Sequence, residues 1–408
     1  MTSGKESQNM RIAWLSNAPW APTGYGNQTK VFTPRINATH PTALLSFYGL
    51  EGGELNWQGM PVYPKGYHPY GQDIAVAHAR DFRADILISL MDAWVCDPAA
   101  LKGMPWCPWF PVDMEPLPEP VRKAVATAFQ PIVFSRFGQR MAEDAGLQAE
   151  YVPHGVDVKA LAPQSRFTSR EKLGLPRDAF IVGMVAANKG NPSRKAFWQQ
   201  MEAFRQLKAR HNDALLYLHT TKGQMGEMGG LNLPELALHL GLEPGKDVIF
   251  SGGYRLASGG YNDDFMSMLY SSFDVFSNVA LGEGFGVPIL EAQACGTPVV
   301  VGDWTAMSEL CFSGWLVPRE GAQRTWWSGM QAWQFDPFPA AIAEQYEAAY
   351  LATDRNERGH FAMSTARRDY DADYITATHW LPVLQRIQEA LTETKSGFEA
   401  ALREAVAA

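Results

Sequence analysis

Apolar and polar positions fall into two successive rounds of short buried runs and periodic amphipathic stretches. In the first round, apolar runs at 10–15, 43–48, 84–90, 109–112 and 131–135 predict strands. Periodic stretches near 74–82, 119–129 and 138–145, and another from about Asn27, predict the helices between them. A Pro- and Ser-containing linker at 162–169 and a short helix ending near Gly174 separate the rounds. The second round predicts strands at 180–185, 214–219, 247–250, 275–278 and 298–301, with helices near 196–210, 234–240, 263–270 and 288–295. From about Asp336 the chain reads as helical, over 338–353, 355–368 and 375–407. Such alternation calls for parallel sheets covered on both faces, so the expected class is α/β, two doubly wound Rossmann-like domains facing across a cleft. Expected boundaries are 1–160 for the first domain and 161–374 for the second, with 375–408 a helix packing back on the first.

Composition narrows the class without naming a reaction. Of 408 residues, 46% are hydrophobic and 19% charged, which fits a globular chain. A net charge of −8 gives no global basic surface for nucleic acid or anionic membrane. Cys96, Cys107, Cys295 and Cys311 form no C-x-x-C pair and read as reduced, packed thiols. Residues 1–9 are polar and no apolar run approaches a membrane span, so a cytoplasmic protein is expected.

The most informative stretch is 281–301, Leu-Gly-Glu-Gly-Phe-Gly-Val-Pro-Ile-Leu-Glu-Ala-Gln-Ala-Cys-Gly-Thr-Pro-Val-Val-Val. Gly282, Gly284 and Gly286 suit a loop approached closely by a ligand, Pro288 opens a helix, and Gly296 with Pro298 ends it. Glu291 is the lone charge in that helix and Glu283 stands eight residues earlier. Two carboxylates beside a helix start that favours anions suit a sugar nucleotide, hydroxyls on one side and phosphate on the other.

Other candidates sit at predicted strand ends. The loop 16–26 contains Gly24 and Gly26 and reads either as a phosphate cradle or as an ordinary turn. After the first strand of the second round, Lys189, Arg194 and Lys195 with Asn188 and Asn191 suggest a diphosphate clamp. His154 precedes a glycine and either donates to a ligand or caps a turn. The segment 251–255, with Tyr254 and Arg255, is placed to frame a nucleobase. Asp92, Asp113 and Ser135-Arg136 are candidate mouth residues. Asp371 and Asp373 lack the context of a metal site, so no metal or resident cofactor is expected.

Together these pieces resemble glycosyltransferase family 4, the retaining group with the GT-B fold. Glu283-Gly-Phe-Gly-Val-Pro-Ile-Leu-Glu291 is similar to that family's two-glutamate signature, with 152–157, 133–138, 269–275 and 194–204 as supporting matches in family order. The resemblance implies that Glu291 holds the ribose, and that Glu283 with the N–H groups of Gly284, Phe285 and Gly286 binds the donor sugar. It implies that Arg194 and Lys195 neutralise the leaving diphosphate, approached by Gly24 and Gly26. It departs where many members carry a His near the reacting carbon; here 110–115 reads Phe-Pro-Val-Asp-Met-Glu, making Asp113 the substitute. The usual Gly-Arg of the second domain is also replaced, by Gly183-Met184. The implied activity is metal-independent transfer of a hexose from a nucleoside diphosphate sugar, UDP-glucose by preference, to an unidentified hydroxyl acceptor. An epimerase, a phosphorylase and a non-catalytic binding protein are the alternatives. A hydroxylated DNA base is an open but unfavoured acceptor, given the acidic charge.

Overall fold

The computed structural model describes residues 9–190, 192–223 and 229–407. Asn191 and residues 1–8 lie outside the described residues. The first sheet has eight strands: β1 (Ile12–Asn17), β2 (Thr42–Tyr48), β3 (Leu55–Trp57), β4 (Met60–Pro64), β5 (Ile86–Leu90), β6 (Trp106–Phe110), β7 (Ile132–Val133) and β8 (Glu150–Tyr151). Their order is β3-β4-β2-β1-β5-β6-β7-β8, parallel except for the β3–β4 hairpin. The second sheet comprises β9 (Phe180–Val185), β10 (Ala214–His219), β11 (Val248–Phe250), β12 (Val275–Asn278), β13 (Val299–Gly302) and β14 (Trp315–Val317). Its order is β11-β10-β9-β12-β13-β14, all parallel. All six residues of β1 and of β10 are buried, the mark of strands covered on both faces.

Strand order reverses between β1 and β5 in one sheet and between β9 and β12 in the other. Crevices at such switch points, beyond the carboxyl ends of the strands, are where ligands bind in open α/β sheets. The loops after β1, β5, β9 and β12 therefore carry the candidate residues into one region.

Local chemistry explains where the elements differ from expectation. The first helix begins at Gly24, before Asn27, because the Thr23 hydroxyl accepts from the Gly26 N–H at 3.0 Å and caps it. The strand expected at 131–135 stops at Val133, and Ser135 instead caps the Arg136–Asp144 helix through the Gly138 N–H. The strand expected at 109–112 is Trp106–Phe110, ending where Pro111 offers no N–H to a ladder.

The strands β3, β4, β8 and β14 were not among those expected, and neither was the element that follows β14. After β14 the chain forms an antiparallel hairpin, β15 (Ala322–Trp327) and β16 (Ala332–Pro337), whose apolar positions are too irregular to read as strands. It is wired into both domains. The Phe335 N–H donates to the Leu281 carbonyl at 3.0 Å, and Trp333 exchanges backbone hydrogen bonds with Glu115 at 2.7 and 3.3 Å.

The tail returns to the first sheet. Val156 and the segment 370–372 exchange backbone bonds, Val156 to Tyr370 at 3.0 Å and Ala372 to Val156 at 2.8 Å. Trp380, fully buried, then packs against Trp14 and Trp109 with ring centroids at 5.5 and 4.8 Å. The last helix, Leu381–Ala407, follows, and Arg386 pairs with Glu150 at 2.7 Å.

Candidate active site

The glycine loop between β12 and the Val287–Ala294 helix is shaped by the first domain. A Cβ on Gly282 would stand 2.0 Å from the Asp113 carbonyl, and one on Gly284 would stand 2.2 Å from the Pro111 side chain. Gly286 has φ +104°, a left-handed value that an L side chain rarely adopts. The first two glycines thus face protein of the other domain, backbone at Gly282 and the Pro111 ring at Gly284, where a ligand was the expected neighbour. On the other side of the cleft, a Cβ on Gly26 would meet the Ala21 carbonyl at 2.4 Å, whereas Gly24 faces open space.

Glu283 lies within this loop, 5% exposed. Its N–H donates to the Thr305 hydroxyl at 3.1 Å. One carboxylate oxygen accepts from the Lys195 ammonium and the other lies 3.3 Å from Arg194, which also donates to the Gly282 carbonyl. Arg194 reaches the first domain too, at 3.5 Å from Asp113. Burial alone raises the Glu283 carboxyl, but Lys195 and Arg194 outweigh it and hold it below its ordinary value. Burial lowers Lys195, against the pull of Glu283. Burial opposes the charge on Arg194 as well, yet Glu283, Asp113 and Asp92 together raise its pKa.

Facing these cations, the first domain presents acids. Burial raises Asp113, and Glu283 adds to it against Arg194. Burial also raises Asp92, with Asp113 as the next contribution, and the Tyr25 hydroxyl donates to Asp92. Tyr25 is itself pushed well above its usual value by burial and then by Asp92. The cleft therefore runs from two neighbouring acids, Asp92 and Asp113, beside Tyr25, to the Arg194–Glu283–Lys195 group.

Glu291 sits at the opposite end of the loop-helix unit. Its two oxygens accept from the Tyr270 hydroxyl at 2.7 Å and from the Asn27 amide at 3.0 Å. Burial raises this carboxyl in spite of both bonds. Asn27, Lys30, Asp157, Asp263 and Glu291 border a cleft between the domains, and Lys30 pairs across it with Asp263 at 2.6 Å. Glu309 adds another cross-domain contact. It accepts from the Arg136 N–H at 2.9 Å and from the Phe137 N–H at the start of the Arg136–Asp144 helix.

Several candidates are placed elsewhere. Asn188 spends its side chain on the backbone of 221–231, donating to Leu231 at 2.7 Å and accepting from it at 2.9 Å, so it braces a loop and is not free for a donor. Lys189 is exposed. Tyr254 is 86% exposed, and the Arg255 guanidinium lies over Tyr261, so neither touches the Glu283 or Glu291 groups. Ser251 turns inward to His219 at 2.6 Å. His154 is buried between Trp109, Phe134 and Phe285, with ring centroids at 4.5, 4.0 and 5.1 Å, and its Nδ1 has no partner. Burial holds it neutral, well below the usual imidazole range, and its ring makes no turn-capping bond through Nδ1. Asp373 pairs with Arg35 and Lys159 at 2.6 and 3.0 Å.

Sequence reasoning missed Asn27, Tyr270 and Thr305 as partners of the two glutamates. Tyr270 stood in a matched segment, and Asn27 follows Gly26 directly. Thr305, at φ +54°, carried no signal of its own.

Comparison with known proteins bears on the fold and on the second domain. Residues 179–326 match the family model for glycosyl transferases group 1. A D-inositol 3-phosphate glycosyltransferase of Saccharomonospora viridis is 30% identical over 183 residues, 42% of this chain and 39% of that protein. A GDP-mannose-dependent monoacylated alpha-(1-6)-phosphatidylinositol monomannoside mannosyltransferase of Corynebacterium glutamicum is 29% identical over 163 residues, 38% of each chain. The chain thus spans about two fifths of the length of the curated relatives it matches, 39% for the first. Among solved structures, Anabaena Alr3699/HepE in complex with UDP-glucose superposes with a TM-score of 0.65 at 18% identity, over 95% of this chain and 100% of its own. The second domain is thus similar to the group 1 glycosyl transferases over residues 179–326, and the two domains together have the GT-B fold.

Proposed function

We propose that this protein is a retaining glycosyltransferase, moving a hexose from a nucleoside diphosphate sugar to a hydroxyl acceptor without a metal ion. The carrying observation is the Lys195–Glu283–Arg194 group, with Glu283 buried and both cations half-buried, at the turn into the Val287–Ala294 helix. As the anomeric C–O bond breaks, negative charge passes to the leaving diphosphate, and two fixed cations beside a helix start are suited to receive it. The acceptor oxygen bonds the anomeric carbon on the same face, and its proton goes to the departing phosphate oxygen. Glu283 reads the sugar hydroxyls, and Glu291 exchanges Asn27 for the ribose hydroxyls. Asp113, tied to Arg194, orients the sugar where other members use a His.

UDP-glucose is the preferred donor, supported by the likeness to Alr3699/HepE, solved with that ligand. GDP-mannose is the second choice, from the name of the Corynebacterium relative. The raised Asp92 and Asp113 carboxyls favour one rival reading, an epimerase with a paired acid and base. We place the enzyme in the cytoplasm: its four cysteines are free thiols, and no helix among the described residues is long and apolar enough to cross a membrane.

The test is nucleotide release from UDP-glucose and GDP-mannose, with and without acceptor pools and with EDTA present. Acceptor-stimulated release that survives EDTA, with product of retained anomeric configuration, is expected. An inverted product, or an epimer formed from donor alone, sinks the assignment.

A further inference from the structure

The hairpin of β15 and β16 has one side that the cleft does not use. Its second strand is anchored: Phe335 is buried and stacks on Trp304 at 5.6 Å, while Trp333 is laddered to Glu115. Its first strand is open to solvent along Gln323–Trp327, with Trp326 46% and Trp327 40% exposed. Cross-strand register sets Trp326 opposite Trp333, their rings 5.0 Å apart at 63°. Arg324, two residues before Trp326 and so on the same face, lies over Trp333 at 4.7 Å. Glu115 closes the group, paired with Arg319 at 2.6 Å and Arg324 at 3.4 Å.

We propose that this face is a saccharide platform that holds a sugar of the acceptor distal to the one receiving the hexose. The inference rests on the transferase reading above and deepens it by naming the acceptor as an extended saccharide or glycoside. Two features fit a sugar. The exposed indole of Trp326 offers an apolar plane to the C–H face of a pyranose. The paired guanidinium and carboxylate groups at its edge present donors and acceptors together, which suits neighbouring hydroxyls.

Position supports the same occupant. Glu115 is two residues from Asp113, so its Cα lies within about 7 Å of that of the cleft aspartate. A saccharide with its reacting hydroxyl at Asp113 and Glu283 would leave the cleft beside Glu115 and meet Arg324 and Trp326 next. Nucleic acid fits less well, because two guanidiniums against the one Glu115 carboxylate leave a net charge of only about +1, too little to track a phosphate backbone. The match to the family model ends at 326, so the hairpin's turn and second strand lie outside it.

The full chain is titrated by saturation-transfer NMR with glucose, with glucose tetrasaccharides in α-1,4 and β-1,4 linkage, with an α-1,6 mannose tetrasaccharide, and with a short single-stranded DNA. At least one tetrasaccharide should bind more tightly than glucose. Trp326→Ala should weaken that binding tenfold or more, Trp326→Phe should keep most of it, and the UDP-induced melting shift should stay as in wild type. Glu291→Ala should lose the UDP shift and keep the tetrasaccharide, which separates this proposal from the donor reading. No tetrasaccharide binding to wild type overturns the platform. So does equal saccharide binding by Trp326→Ala, or DNA binding that Trp326→Ala removes.

Discussion

Asn27 on the first helix donates to Glu291 across the cleft at 3.0 Å. If Glu291 holds the ribose, as proposed, the nucleotide takes this acceptor from the protein's own amide. Glu291→Ala is expected to weaken UDP binding roughly 10- to 100-fold, since a hydrogen bond to a charged group contributes ~1.5–3 kcal/mol. Asn27→Ala removes only the stand-in, so UDP affinity should hold or tighten. Calorimetric titration of both variants checks this; wild-type affinity in Glu291→Ala would remove Glu291 from the nucleotide site.

The Lys195–Glu283 pair separates stability from catalysis. Lys195→Met leaves a buried carboxylate with only Arg194, and breaking such a pair costs about 3 kcal/mol. The double variant Lys195→Met with Glu283→Gln should recover most of that loss in urea melts. Transfer should nevertheless stay down by roughly 10²–10³, as when a fixed transition-state donor is removed. Recovery of activity along with stability would make the pair structural only.

Much of this site was legible because its chemistry is local. Glu283, Glu291 and the glycines share one loop-helix unit, and their spacing set the two carboxylates at its two ends. The second-sheet strands at 180–185 and 214–219 coincide with expectation because parallel strands covered on both faces are nearly continuous apolar runs. What escaped depends on the facing domain. Pro111 and Asp113 explain Gly284 and Gly282, yet stand about 170 positions away in the chain and leave no periodic trace near the loop. Asn188 illustrates the converse: a polar residue in a promising loop was claimed by backbone at 221–231.

Gly284→Ala should block closure without unfolding either domain. The added Cβ would stand 2.2 Å from Pro111, so the domains must part to admit it. Transfer should fall at least tenfold, while UDP still binds through Glu291. Small-angle scattering should report a larger radius of gyration; an unchanged radius with full activity would show that the contact yields.

Acid should weaken the fold through its buried imidazoles. Burial depresses His219 to about 4, and depresses His154 in the same direction. The unfolded chain, with histidine near 6.5, holds the extra protons, so stability is full above ~6.5 and falls as pH drops towards 4. His219 alone accounts for about 3 kcal/mol over that window at 1.36 kcal/mol per unit. His219→Gln should flatten the profile of urea midpoints between pH 7 and 4.5; an unaltered slope would place the proton uptake elsewhere.

The strands of chain near Val156 and Ala372 run side by side, one leaving the first domain and the other returning to it. Two adjacent crossings define a line, and a body held along a line can swing but not twist. The hairpin's backbone ladder between Trp333 and Glu115 must also yield to opening along that line. Asn27–Glu291, Lys30–Asp263, Arg194–Asp113 and the Glu309 contact with Arg136 must all part along it, in an order fixed by their lever arms. A donor that breaks the first of them has begun to break them all.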